Sequence, residues 1–125
     1  MANVVTWTGV AIETNLISGL GGTVPKYLGI GTGAGTSART DTTLFTENTA
    51  NARGVGTFTR ITTSQTNDTL QVVATITNAS STIAVTNAGF FDASSSGNLW
   101  VKGDFAVVNI ATGDSIQVTV QDQFT

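Results

Sequence analysis

The chain has 125 residues, no cysteine, no histidine and a formal charge of −3 at pH 7. Disulfide frameworks, thiolate sites and imidazole chemistry are therefore excluded. The acidic balance also argues against a face that neutralises nucleic-acid phosphates. With 40% hydrophobic and 10% charged residues, the composition is that of a folded domain, and the length suits a single domain over residues 1–125 with its own core. Roughly one residue in five is Thr, beside 14 Gly. Thr is stiff at χ1 and favours pleated, half-solvated surfaces, so strands and turns are expected to dominate.

In chain order, "MANVVTW" comes first, an uncharged segment with apolar Val4, Val5 and Trp7. Residues 1–8 read as an N-terminal arm that either docks on a partner or pairs with an edge of its own sheet. In "TGVAIETNLISGLGG", Ile12, Leu16 and Leu20 recur every fourth residue, and Gly21-Gly22 can close a helix. That spacing predicts one short helix near residues 9–20, with Thr8 at its start. Everything later reads as strands. In "TLQVVATIT" Leu70, Val72, Ala74 and Ile76 share one face, and in "TIAVTNAGFFD" Ile83 and Val85 fall together. "NLWVKGDFAVVNI" aligns Leu99, Val101, Phe105 and Val107, and "DSIQVTVQDQF" aligns Ile116, Val118, Val120 and Phe124. Turn-forming clusters such as Asn78-Ala79-Ser80-Ser81 and Thr112-Gly113-Asp114 separate them. The fold class expected is all-β: an antiparallel sandwich of jelly-roll or Greek-key type with one short N-terminal helix.

"YLGIGTGAGTSART", from Tyr27, contains the pattern G-x-G-x-x-G/A found where strands meet dinucleotides. A pyrophosphate needs a helix directly after the glycines. The residues that follow, "TSARTDTTLFTENT", have no helical periodicity, and the helix candidate lies before the glycines. The glycines are read as backbone devices that let a strand bend or a neighbour approach closely. No cofactor is expected.

The eight carboxylates, Glu13, Asp41, Glu47, Asp68, Asp92, Asp104, Asp114 and Asp122, mostly adjoin turn residues, where Asp bonds local backbone. No metal loop of the D-x-[DN]-x-[DN]-G kind occurs, although Asp92 and Asp104 with carbonyls are conceivable calcium ligands. Ser96 and Lys102 have no spacing that sets them apart from a turn and its strand, and two glycosylation sequons, at Asn67 and Asn78, read as chance matches. No catalytic residue and no metal ligand is assigned. The interface candidates are Val4, Val5, Trp7, Phe91 and Trp100. Strand alternation turns Trp100 outward if Leu99 and Val101 point in, and only one of Phe90 and Phe91 can face the core. The competing reading packs these aromatics beneath the helix or over a sheet edge.

No apolar run reaches the ~18 residues of a membrane span, and no Lys or Arg precedes Lys26. Neither a membrane anchor nor a secretory signal is expected.

"AGFFDA", Ala88 to Ala93, with the turn and strand start at Gly97-Asn98-Leu99 and "GDSIQV", Gly113 to Val118, resembles a segment that closes a β-domain in small structural proteins of tailed bacteriophages. "YLGIGTG", Tyr27 to Gly33, is similar to an element near the start of such proteins. The match departs at Asn87, where relatives often carry an acid, and at the polar "QDQFT" end. These proteins are variously head decoration (cement) proteins, tail-fibre components or proteins of unknown role. The resemblance implies a virion protein without enzymatic activity, made in the host cytoplasm. It implies binding to the major capsid protein on the outer surface of the head, as a dimer or trimer, without contact to nucleic acid or membrane. A tail-fibre or receptor-binding module is the alternative.

Overall fold

A computed structural model describes residues 2–125. The chain passes from β1 (Ala2–Val5) into α1 (Trp7–Ser18), and every later element is a strand. These are β2 (Tyr27–Gly31), β3 (Gly54–Val55), β4 (Thr57–Ile61), β5 (Thr69–Thr77), β6 (Ile83–Phe91), β7 (Leu99–Ile110) and β8 (Ser115–Gln123). They form a five-stranded sheet ordered β1-β7-β6-β2-β3 and a three-stranded sheet ordered β4-β5-β8. Every pairing is antiparallel. The expected class, a mostly antiparallel β-sandwich with one short N-terminal helix, is the observed one.

Local pattern accounts for β5. Val72, Ala74 and Ile76 are buried, whereas Thr75 and Thr77 are exposed, as period-two alternation over a core requires. β5 meets β8 in nine unbroken pairs from Thr69↔Gln123 to Thr77↔Ser115. The main core lies between the sheets, with Leu28, Val72, Val85, Phe90 and Trp100 at its centre.

β7 departs from simple alternation. Phe90 pairs with Val101 but Phe91 pairs with Leu99, so Trp100 is an extra residue in a β-bulge. A bulge puts two successive side chains on one face. Trp100 and Val101 therefore both enter the main core, and Leu99 turns to the opposite side. The Trp100 ring lies 6.0 Å from that of Phe58 and 6.4 Å from that of Phe90. The expectation that Trp100 points outward is overturned, and it is 1% exposed beneath the helix.

The helix starts two residues earlier than the spacing suggested, because Thr6 rather than Thr8 caps it. The Thr6 hydroxyl accepts from the Gly9 N–H at 2.9 Å and donates to the Leu99 carbonyl at 2.7 Å. A Cβ on Gly9 would strike the Trp100 carbonyl, so glycine lets the helix settle onto the bulge. Gly19, in the left-handed region at φ 72°, ends the helix before Gly21. Leu20 consequently lies past the helix and is 82% exposed.

Residues 2–5 are not a free arm. They pair with β7 from Ala2↔Asp104 to Val5↔Val101, the second of the two readings offered for this segment. Residue 1 lies outside the described residues.

Candidate functional site

The two faces of the five-stranded sheet are built differently, and residues 32–53 make the difference. This long connection lies across the outer face, where Leu44 packs with Phe91, Leu99 and Tyr27 in a second apolar cluster. The glycines of "YLGIGTG" clear its path: a Cβ on Gly31 would sit 2.5 Å from the Phe45 carbonyl. Gly29 and Gly31 thus act as the sequence suggested, through close approach, and no helix follows them.

Buried polar groups fasten the connection down. Asn87, fully buried, accepts from the Phe45 N–H at 3.0 Å and donates to the Phe45 carbonyl at 3.1 Å. An acid at this position would lack the proton for the second bond. Lys102 is 2% exposed, yet its Nζ reaches Asp41 at 3.0 Å and the Thr43 carbonyl at 2.9 Å, 3.2 Å from the centre of the Phe45 ring. Burial pushes the Asp41 carboxyl up, but the Ala38 amide and the Lys102 ammonium outweigh it and hold the group below its usual range. Arg53 forks onto both Glu47 oxygens at 2.8 Å, donates to the Ala93 and Ser96 carbonyls and stacks 3.7 Å above Phe91. These charges have structural partners.

The other carboxylates divide in the same way. Asp68 accepts from the backbone amides of Thr63, Ser64 and Gln65, which hold it well below the ordinary carboxylate range. Asp114 accepts from Ala111, and Asp92 from the amide and side chain of Asn98. Asp104 accepts from the Ser37 N–H in mid-strand, while Asp92 lies beyond the far end of the β6–β7 pairing. The structure does not bring the two conceivable calcium ligands together. It likewise separates Ser96, in a turn, from Lys102, which is committed to Asp41. Asn78 of the second sequon is buried, its Nδ2 donating to the Ile110 carbonyl at 2.9 Å.

Between the sheets, one side of the sandwich stays open. β1 spans only Val101–Asp104 of β7, so the strand beyond has no neighbour on that edge. Facing it across the gap is β8, the edge of the smaller sheet. The resulting seam encloses about 520 Å³, lined by Val4, Val5, Phe105, Val108 and the inward face of β8. Ile116, Val118 and Val120 are only half-buried there, and Val108 is 42% exposed. Such a cleft accommodates an extended apolar segment, which would find side-chain pockets and unpaired backbone in one place.

At one end of the seam Asp122 meets Glu13 of α1. Burial pushes the Glu13 carboxyl up, and Asp122 pushes it further through a hydrogen bond and like charge. The indole N–H of Trp100, 2.7 Å from Glu13 Oε1, opposes the shift. Glu13 thus meets Asp122 where α1 comes up to β8, and Glu13 holds its proton more tightly there. Among the described residues no group of three or more His, Cys, Asp or Glu side chains that could hold a metal ion occurs.

The five interface candidates fall into three places. Val4 and Val5 line the seam. Trp7 is 57% exposed and carries the Arg39 guanidinium 3.8 Å above its ring. Phe91 and Trp100 are corrected: at 2% and 1% exposed they are core residues, Phe91 because residues 32–53 cover it and Trp100 because of the bulge. Sequence reasoning missed the Glu13–Asp122 pair and the role of β8 as an edge. The alternation of Ile116, Val118 and Val120 marked an inward face but held no sign that the face is half covered.

No family model matches the chain, and no match to a curated protein or a solved structure was found.

Proposed function

We propose that this chain is a structural protein of a bacteriophage virion: a capsid decoration protein that binds the outer surface of the head and stabilises contacts between major capsid subunits. The observation that carries the reading is the physical unity of the two phage-like blocks. "YLGIG" and "NAGFF" are neighbouring central strands, paired from Tyr27↔Phe91 to Gly31↔Asn87. The glycines of the first seat residues 32–53, and Phe91 of the second packs beneath them against Leu44. Similar blocks in such phage proteins are therefore expected to mark the same platform. The seam supplies a surface suited to holding a neighbour's extended segment.

The test is electron microscopy of the virion, combined with binding of the purified protein to capsids that lack it. Saturable binding to the shell, with density at regular sites on the head, is expected. Density confined to tail tips, together with saturable attachment to host cells, would replace this reading with a tail-fibre or receptor-binding module.

A further inference from the structure

α1 is fastened to the sandwich unevenly. At its start the Thr6 hydroxyl donates to the Leu99 carbonyl at 2.7 Å, and the Trp7 N–H donates to the Arg39 carbonyl at 2.8 Å. Of its twelve residues only Gly9 and Ile12 are buried, while Leu16 packs against the core from a half-buried position. At its end the chain enters residues 19–24, all of them exposed, with Gly19, Gly21 and Gly22 at φ 72°, 112° and 104°. A Cβ on Gly19 or Gly21 would meet nothing within 4 Å. Such a connection supplies slack, and a helix that buries so little opens at lower cost than a core strand.

The middle of the helix is held by one acid. Glu13 Oε1 accepts from the Trp100 indole of β7 at 2.7 Å, and the carboxyl faces Asp122 of β8. Asp122 Oδ2 is buried and has no hydrogen-bond partner among the described residues, so a proton on Glu13 is the group that answers it. From residues 32–53 the Arg39 guanidinium also acts on Glu13 and favours its charged form. Arg39 is itself bonded to the Val5 carbonyl at 3.1 Å and stacked 3.8 Å above Trp7. Burial first, and Asp122 second, outweigh it and hold the Glu13 carboxyl above its ordinary range.

Independently of any virion role, we infer that α1 is a proton-held latch: with Glu13 protonated the helix is closed against β8, and when that proton leaves, the helix lifts at its Gly19 end, pivoting on the Thr6 cap. Two charged carboxylates then face each other in a partly buried place, and lifting returns both to water. The closed form binds the proton more tightly than the open one. Its population is therefore greatest in acid and falls as pH rises through the folded value. Lifting uncovers Trp100 and the Asp122 end of the seam, so access to that end increases with pH.

Amide hydrogen exchange of the purified full chain reads the latch residue by residue. It would be followed between pH 5 and pH 8 and corrected for the intrinsic pH dependence of exchange. Amides of residues 13–18 should exchange through a local opening, with protection at least about tenfold below that of residues 72–76 in β5. Their protection should fall about tenfold from pH 5 to pH 8, while Trp7 and Gly9 at the anchored end change less. Glu13→Gln keeps an acceptor for the Trp100 indole and should flatten the profile with the helix protected throughout. Asp122→Asn removes the facing charge but leaves Glu13 buried, so the fall should shrink without vanishing. Helix amides as protected as those of β5 at every pH, or a profile that survives unchanged in either variant, would overturn the latch.

Discussion

On the outer face of the five-stranded sheet, residues 32–53 bring a partner to Asn87, Lys102 and Arg53 and cover Phe91 and Leu99. Along the seam, by contrast, β8 and the end of β7 leave valines half-solvated and one strand edge unpaired. The same sheet is thus sealed on one face by a polar network and left open along one side of the other. A sealed face depends on every buried charge finding its counterpart, so it tolerates little change. An open seam already meets water, so it tolerates substitution and keeps a surface for binding.

The largest expected effect comes from breaking the sealed face at its most buried charge. Lys102→Ala takes the ammonium from Asp41, which keeps the Ala38 amide, and from the Thr43 carbonyl, and empties the space above Phe45. Asp41 is 22% exposed, so the cost lies at the low end of the ~3–5 kcal/mol seen when a fully buried pair loses one partner, read as a drop in the denaturant midpoint. Gly31→Ala attacks the same face through packing. Its Cβ would meet the Phe45 carbonyl and the Asn87 amide, a clash costing about 1–3 kcal/mol, and protease cleavage within residues 32–53 should accelerate.

At the seam the matching change should be mild. Val118→Thr alters a half-buried side chain, so thermal unfolding of the monomer should register about 1 kcal/mol or less. A cost as large as that of Lys102→Ala would mean that the seam is closed.

The smallest effect sharpens the comparison through pH. Glu13 titrates above its ordinary range in the folded protein, chiefly because it is buried and then because Asp122 faces it. The fold therefore holds this proton more tightly than the unfolded chain. The associated stability is fully present below the unfolded value, about pH 4.5, and is lost as pH rises through the raised folded value. Glu13→Gln keeps an acceptor for the Trp100 indole and gives Asp122 a permanent donor. It should raise the melting temperature at pH 7 by roughly 3 °C and change little at pH 4.

Much of the fold was legible in residue order. Thr69–Thr77 matches a strand of the same bounds, and its alternation named the buried face correctly. The helix was visible in Ile12 and Leu16, but its ends were set by Thr6, which reaches the Leu99 carbonyl, and by Gly19, the first residue able to turn left-handed. Trp100 was misassigned because alternation assumes a regular strand, and a single bulge reverses every face beyond it. Phe91 was misassigned because its covering residues come from a connection that has no periodicity of its own.

What the sequence by itself determined is what neighbours along the chain decide. It set the period-two strands, the turn clusters between them, the single helix, and the lack of cysteine and histidine. Tertiary structure alone decided which strand became an edge, where the seam opened, and that Glu13 would meet Asp122. The reason is physical. Alternation and turn chemistry act within a few residues, whereas strand order and the meeting of two carboxyls depend on which distant segments pack together. Nothing within nine residues of β8 distinguishes a strand with two neighbours from a strand with one.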